Sequence, residues 1–248
     1  MTIVLIFLFY AIVLTAALAR AGHRGQPPRP DGTPRREPSR VLIVGATGGT
    51  GRELVTQALE RGLAVTALVR NPSRLRAEHP RLTVVQGDVL DAASVDAAVR
   101  GQDAVLSALG HRRYIYPTRI LSAGTRNIMR AMASHGVRRL VCETSLGLGD
   151  SAGRLGLMYT LFVIPAILPF YFWDKTRQER AIAESGLDWV IVRPGALTDG
   201  ERRGRVREGG RVGSFLWTVR VSRTDVAAFM LNQLASDTYL GAAPGVCW

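Results

Sequence analysis

Val41-Leu-Ile-Val-Gly45-Ala-Thr47-Gly48-Gly49-Thr50-Gly51-Arg-Glu-Leu54 is the stretch that decides how the rest of the chain is read. An apolar, β-favouring run enters a turn rich in glycine, and a helix-compatible segment follows to Glu60 without a break. Strand, glycine turn and helix in this order bend the backbone where a Cβ would obstruct it and leave the first N–H groups of the helix unpaired. Such a turn receives an anion, and between a strand and a helix it suits the pyrophosphate of a dinucleotide. A glycine triplet alone would also serve as a loop of any α/β protein; its placement favours the nucleotide.

Downstream, apolar strands alternate with amphipathic helices. The pattern predicts strands near 41–45, 64–69, 82–86, 103–107, 138–143 and 188–193, and helices near 50–61, 91–99, 118–135, 174–186 and 224–235. Alternation of this kind implies right-handed βαβ units, hence an α/β fold: a doubly wound parallel-sheet Rossmann domain over residues 41–248. The second strand runs into Arg70-Asn-Pro-Ser73-Arg74. An acidic residue at that position holds a ribose 2′-hydroxyl, whereas guanidinium groups accommodate a 2′-phosphate. Arg70 and Arg74 therefore predict NADPH, with NADH the weaker fit, unless the loop is simply a solvated one in an arginine-rich protein. Asp88 and Val89, after the third strand, are placed at the adenine edge. Ala108, Leu109 and Gly110, after the fourth, line the crevice outside the carboxyl ends of the strands. His111 follows them and either touches substrate or is solvated.

The chain has 248 residues, 47% of them hydrophobic, enough for one large core plus an appendage. A formal net charge of +12 raises nucleic acid or an anionic membrane as partners. The arginines are scattered, with no basic run interleaved with stacking aromatics, so no nucleic-acid partner is expected. Cys142 and Cys247 show neither Cys-x-x-Cys nor metal spacing with the histidines, so neither a metal site nor a disulfide is expected.

Residues 2–19 carry no charge and span about 27 Å as a helix, close to the hydrocarbon thickness of a bilayer. Residues 1–20 read as an N-terminal membrane anchor. A cleaved signal is the competing reading, through Ala17-Leu-Ala19, but the positive n-region is missing. Arg20, Arg24, Arg29, Arg35, Arg36 and Arg40 follow, which places the remaining domain on the cytoplasmic side. Residues 21–40, rich in proline, glycine and arginine, read as a linker.

With Gly45 to Gly51, Leu68-Val-Arg-Asn-Pro-Ser-Arg74, Gly87-Asp-Val-Leu90, Gly101-Gln-Asp-Ala-Val105, Gly124-Thr-Arg-Asn-Ile128 and Ser185-Gly-Leu-Asp-Trp-Val-Ile-Val-Arg-Pro-Gly195 assembled, the chain resembles the atypical short-chain dehydrogenase/reductases. Its nearest likeness is to NAD(P)H-binding proteins of the NmrA-like and flavin reductase/biliverdin-IXβ reductase type. The resemblance implies that Gly45, Thr47, Gly48, Gly49, Thr50 and Gly51, with Arg52, hold the pyrophosphate, that Arg70 and Arg74 hold the 2′-phosphate, and that Ser145 corresponds to an active-site serine or threonine. On the residues alone Ser145 equally suits a turn cap. The resemblance also places Lys175, in a Lys-x-x-x-Glu pattern with Glu179, beside the nicotinamide ribose or substrate; the plainer alternative is a surface ion pair. Lys175 is the single lysine of the chain. Tyr171 and Lys175 have the spacing of a tyrosine acid with a lysine that lowers its pKa, although Tyr171 also stands in an aromatic run expected for apolar reasons.

Residues 155–173 are uncharged but interrupted by Pro165 and Pro169. A full crossing there would divide one sheet between the two sides of a bilayer, so the segment reads as an apolar lid, as an interfacial segment beside the anchor, or as an oligomer contact. The expected function is an NADPH-dependent reductase passing hydride to a flavin, quinone or conjugated carbonyl, and the expected partner is a small apolar or aromatic acceptor. The alternative is a non-catalytic NADPH-binding redox sensor or assembly subunit of a membrane complex.

Overall fold

The computed structural model describes residues 2–22, 37–111, 113–114 and 116–248, so most of the expected linker lies outside the described residues. In chain order the elements are α1 (Thr2–Ala21), β1 (Arg40–Val44), α2 (Gly49–Glu60), β2 (Ala64–Val69), β3 (Leu82–Gln86), α3 (Ala92–Val99), β4 (Ala104–Ser107), α4 (Ile120–Ser134) and β5 (Arg139–Glu143). There follow a π-helical turn (Tyr159–Val163), α5 (Ile164–Ala166), α6 (Pro169–Ala183), β6 (Asp188–Pro194), β7 (Ala196–Thr198), β8 (Arg207–Gly209), β9 (Arg220–Ser222), α7 (Arg223–Asn232) and β10 (Gly245–Cys247).

The main sheet has the order β3-β2-β1-β4-β5-β6-β10-β8, parallel through β10 and closed at one edge by antiparallel β8. Strand side chains alternate between faces, and β1 shows the result. Val41 and Ile43 join one core with Leu54, Val55 and Met230; Leu42 and Val44 join the other with Val95, Ile128 and Met132. Helices α2 and α7 cover the first face and α3 and α4 the second, which is why the strands read as continuous apolar runs. The chain reverses direction across the sheet between β1 and β4, and that point lies beside the Gly45 turn.

The six strands expected from the sequence are all present. Strands β7 to β10 were not anticipated, since three residues are too few for a period of two to register. The helix expected from residue 174 begins earlier, at Pro169, whose fixed φ and missing N–H suit a first helical position.

Helix α1 is long and apolar enough to cross a membrane. Its carboxyl-terminal part is seated on the domain: Leu18 is buried with Leu146, Leu148, Leu155, Ile164 and Phe172, and Arg180 Nη2 donates to the Ala21 carbonyl at 3.1 Å. Beyond that seat the helix is largely exposed, including Ile3, Ile6, Phe9 and Ile12.

A Cβ on Gly51 would stand 2.1 Å from the Gly45 carbonyl oxygen, where nothing flexible can give way. Gly51→Ala is expected to lose roughly 1–3 kcal/mol of stability in urea unfolding. Gly210→Ala, facing open space, should unfold with the parent.

Candidate active site

The Gly45 turn is built around close backbone approach. Gly45 has φ +84°, and a Cβ on it would come within 2.4 Å of the Ala108 carbonyl oxygen. The turn closes with Gly48 N–H donating to the Gly45 carbonyl at 2.9 Å. Helix α2 starts with no side-chain cap on its N-cap residue, Gly48, so its first-turn donors are left for an anion. Gly48 and Gly49 are exposed and Thr47 half-buried. The Thr50 hydroxyl points inward instead, bonded to Glu143 Oε1 at 3.1 Å, so a phosphate contact from Thr50 runs through its backbone. A Cβ on Gly49 would meet the Arg223 side chain at 2.4 Å, which brings a guanidinium to the same turn. This cradle of close-set glycines at an uncapped helix start fits a dinucleotide pyrophosphate.

The other residues expected at a cofactor lie as follows. Arg70 is exposed at the exit of β2. Arg74 lines an open depression of about 660 Å³ together with Arg52, Ser73 and Arg76, which gives it a basic wall. Asp88 turns its carboxylate onto the Leu90 N–H at 2.9 Å and so shapes its own loop. Val89 is buried, and its carbonyl accepts from Asn127 Nδ2 at 3.0 Å. Ala108 and Leu109 are half-buried and Gly110 exposed at the exit of β4.

Helix α6 carries the candidate catalytic groups, and its polar residues are buried. Lys175 is 3% exposed, with Nζ donating to the Thr144 carbonyl at 3.0 Å and standing 5.1 Å from the centre of the Tyr171 ring. Burial pulls the ammonium down, but Tyr171 and the carboxyl groups of Glu143 and Glu179 more than offset it, so Lys175 is held above the ordinary lysine value. A surface pair of Lys175 with Glu179 is therefore corrected. Glu179 is fully buried, accepting from Thr144 Oγ1 at 2.6 Å and from Arg193 Nε and Nη2 at 3.0 and 2.7 Å. Asp150 binds the outer nitrogen of the same guanidinium. Burial would lower Arg193, and these carboxylates hold it above its usual value instead. One step round the helix, Asp174 takes the N–H groups of Leu121 and Ser122 at 2.9 and 3.3 Å and the Ser122 hydroxyl at 2.5 Å. It thereby supplies the N-terminal cap that α4 lacks in its own sequence.

Tyr171 faces the crevice. A Cβ on Gly110 would lie 3.4 Å from its hydroxyl, and its ring meets His111 edge-on at 4.9 Å and Tyr114 at 5.6 Å. Burial, with Lys175 and Arg113 nearby, lowers the His111 pKa against the opposing pull of Asp174, so the imidazole is neutral at pH 7. The Ser145 hydroxyl donates to the adjacent Leu146 carbonyl at 2.9 Å, the local turn bond that the sequence allowed. Burial pushes the Cys142 thiol up to about 12, which makes it a packed apolar group rather than a nucleophile.

Glu143, Asp174, Arg193 and Arg223 were not picked out from the sequence. Arg193 had a visible signal, a charge inside Val-Ile-Val-Arg193-Pro; the others look like ordinary polar positions.

A family described as NAD(P)H-binding matches residues 45–237. An uncharacterized chloroplastic protein of Arabidopsis thaliana is 31% identical over 175 residues, covering 67% of this chain and 62% of the relative. A (4-alkanoyl-5-oxo-2,5-dihydrofuran-3-yl)methyl phosphate reductase of Streptomyces griseus is 30% identical over 154 residues, covering 62% and 46%. The chain thus spans about half the length of the curated relatives it matches. Among solved structures, an anaerobillin reductase of Escherichia coli O157:H7 superposes with TM-score 0.69 at 25% identity, covering 84% of this chain and 96% of the other.

Two stability measurements check the buried network. Glu179→Gln leaves the Arg193 charge without its buried partner and should cost about 3–5 kcal/mol in urea unfolding. Burial raises the Glu143 carboxyl against the pull of Lys175, the Thr50 bond and Arg223. The native state then holds its proton more tightly than the unfolded chain, so the Glu143 contribution is present below the ordinary value of 4.5 and is lost as pH rises. Glu143→Gln should consequently gain stability relative to the parent as pH rises above 4.5; a difference that stays constant as pH rises from there would refute the buried carboxyl.

Proposed function

The chain belongs to the NAD(P)H-binding family, and from that premise we propose that it is an NADPH-dependent reductase anchored in a membrane by α1. The acceptor is an electron-poor, apolar or aromatic molecule of the flavin, quinone or conjugated-carbonyl class. The observation that carries this reading is the Tyr171 hydroxyl at the exit of β4, walled by His111 and Tyr114 and backed by buried Lys175. The Streptomyces protein's name describes a conjugated oxo-dihydrofuran, and the E. coli neighbour is named as a bilin reductase, chemistry compatible with an aromatic-walled site.

The residues divide the work as follows. The N–H groups from Gly48 to Gly51 hold the pyrophosphate, Arg70 and Arg74 the 2′-phosphate, and Ala108 to Gly110 the wall of the crevice. When bound, the reduced nicotinamide supplies hydride. Tyr171 directs its hydroxyl to the acceptor oxygen or nitrogen and donates a hydrogen bond, and then a proton, as negative charge develops there. Lys175 is a positioning residue: fixed on the Thr144 carbonyl, its charge stabilises the phenolate that Tyr171 becomes. Ser145, next to Thr144, offers its lone pairs to the substrate while its proton stays on Leu146. With α1 in the bilayer, the arginines from Arg20 onward keep the domain on the cytoplasmic side.

Purified protein is expected to oxidise NADPH with at least one of a panel of flavins, quinones and conjugated carbonyls. Binding of NADPH with no oxidation above buffer across the panel would leave a nucleotide sensor instead. Tyr171→Phe should lower kcat about 10²-fold or more while the Kd for NADPH stays unchanged. Arg70→Asp should shift the NADPH/NADH affinity ratio towards NADH; an unchanged ratio removes Arg70 from the 2′-phosphate site.

A further inference from the structure

We propose that residues 157–170 form a re-entrant hairpin that enters the hydrocarbon beside α1, while Trp173 and the loop Phe215–Trp217 rest at headgroup level. The inference rests on the membrane reading of α1 and goes beyond it, because it gives the globular domain its own contact with the bilayer.

Contacts along α1 set the depth. Near the carboxyl end of α1, Leu18 belongs to one buried cluster with Leu155, Ile164 and Phe172. Further out, the Phe7 ring stacks on Phe162 with centres 6.2 Å apart and planes 26° apart. Phe7 precedes the first charge, Arg20, by about 20 Å of helix at 1.5 Å per residue. A bilayer's hydrocarbon is about 30 Å thick, so an α1 that crosses it carries Phe162 well inside. The hairpin's outward side chains suit that position: Leu157, Met158, Phe162, Ile167 and Phe170 are all exposed, and no charge occurs from Leu155 to Trp173.

The backbone suits it too. In hydrocarbon, every amide must find a partner within the protein. The outgoing arm is helical from Leu157 and passes through the π-helical turn into α5. At the bend, Ile167 N–H donates to Val163 at 2.9 Å, Leu168 to Val163 and Ile164 at 3.1 Å, and Phe172 to Leu168 at 2.9 Å. Pro165 and Pro169 stand where the helices begin and have no N–H to satisfy. The Thr160 hydroxyl is bonded to the Gly156 carbonyl at 2.9 Å.

The base of the hairpin has the chemistry of the headgroup zone. Leu157 N–H donates to the Leu216 carbonyl at 3.3 Å, so the 215–217 loop is fastened to the hairpin. Phe215, Leu216 and Trp217 are 58, 67 and 77% exposed. Arg154 lies over the Phe215 ring at 5.0 Å and Arg177 over Trp173 at 5.9 Å, and Arg211 and Arg220 flank the loop, exposed. Aromatics with cations at their edges match an interface bearing anionic lipid. Tyr171 sits at this base, so the acceptor site opens where the bilayer begins.

The test uses the full chain in phosphatidylcholine/phosphatidylglycerol vesicles. An environment-sensitive fluorophore is attached in turn through Ile6→Cys, Phe162→Cys, Leu216→Cys and Arg100→Cys; the native Cys142 and Cys247 are buried. Lipids carry a spin-label quencher either deep in the acyl chain or near the headgroup. Positions 6 and 162 are expected to lose emission to the deep quencher, position 216 to the shallow one, and position 100, at the far end of α3, to neither. If position 6 is quenched but 162 and 216 behave like 100, the anchor stands and the hairpin inference is overturned. If 162 and 216 emit as buried sites yet respond to neither quencher, a protein surface such as a second copy covers them, which also overturns it. An unquenched position 6 removes the membrane reading itself.

Discussion

The buried pair of Glu179 and Arg193 is the constraint on which the arrangement of the site depends. Two charges removed from water are tolerated only when each is met by several partners. Here Glu179 also takes the Thr144 hydroxyl, and Arg193 also holds Asp150. Because Arg193 comes from β6, Thr144 from the end of β5 and Glu179 from α6, the pair fixes the rotation of α6 about its axis. That rotation decides where Tyr171 and Lys175 point, since they lie two turns and one turn before Glu179 on the same face. The same helix begins at the hairpin's return bend, so one ion pair sets both the face that carries Tyr171 and Lys175 and the apolar segment leading to it.

A second constraint is steric. The Gly45 turn, the Ala108 carbonyl and Gly51 stand closer together than any Cβ permits, which makes the crevice between β1 and β4 as narrow as the backbone allows. Narrowness of that kind is useful only for a ligand that is recognised by backbone donors, as phosphates are. Glu143 links the two constraints, reaching from β5 through the Thr50 hydroxyl to the first turn of α2.

Most of the fold was legible because period and punctuation agree: Val41 to Val44 bury alternately on both faces, the glycines follow at once, and each later strand repeats the pattern. Strands β7 to β10 were not legible, since their pairing is decided by partners far along the chain. The tight glycine turn and the exposed arginine at the exit of β2 were readable from local chemistry. Helix α6 was harder. Asp174-Lys175-Thr-Arg-Gln178-Glu179 has the composition of a solvated face, and only the distant Ser122, Thr125, Thr144 and Arg193 convert it into an interior one. A lone charge within an apolar strand, as at Arg193, is the local trace such a network leaves.

The seat of Gly22 on Gly149 bears on how encounters occur. A Cβ at Gly22 would fall 2.1 Å from the Gly149 Cα, so the two backbones touch just where α1 ends. A helix joined in that way cannot swivel freely over the domain it precedes. For a bilayer-inserted α1, the catalytic mouth keeps one attitude to the lipid surface, and it samples acceptors that diffuse in two dimensions. For the proposed reductase with a lipid-soluble acceptor, turnover would scale with the mole fraction of acceptor in the lipid, and diluting the membrane with inert lipid would slow the enzyme even with the bulk concentration held constant.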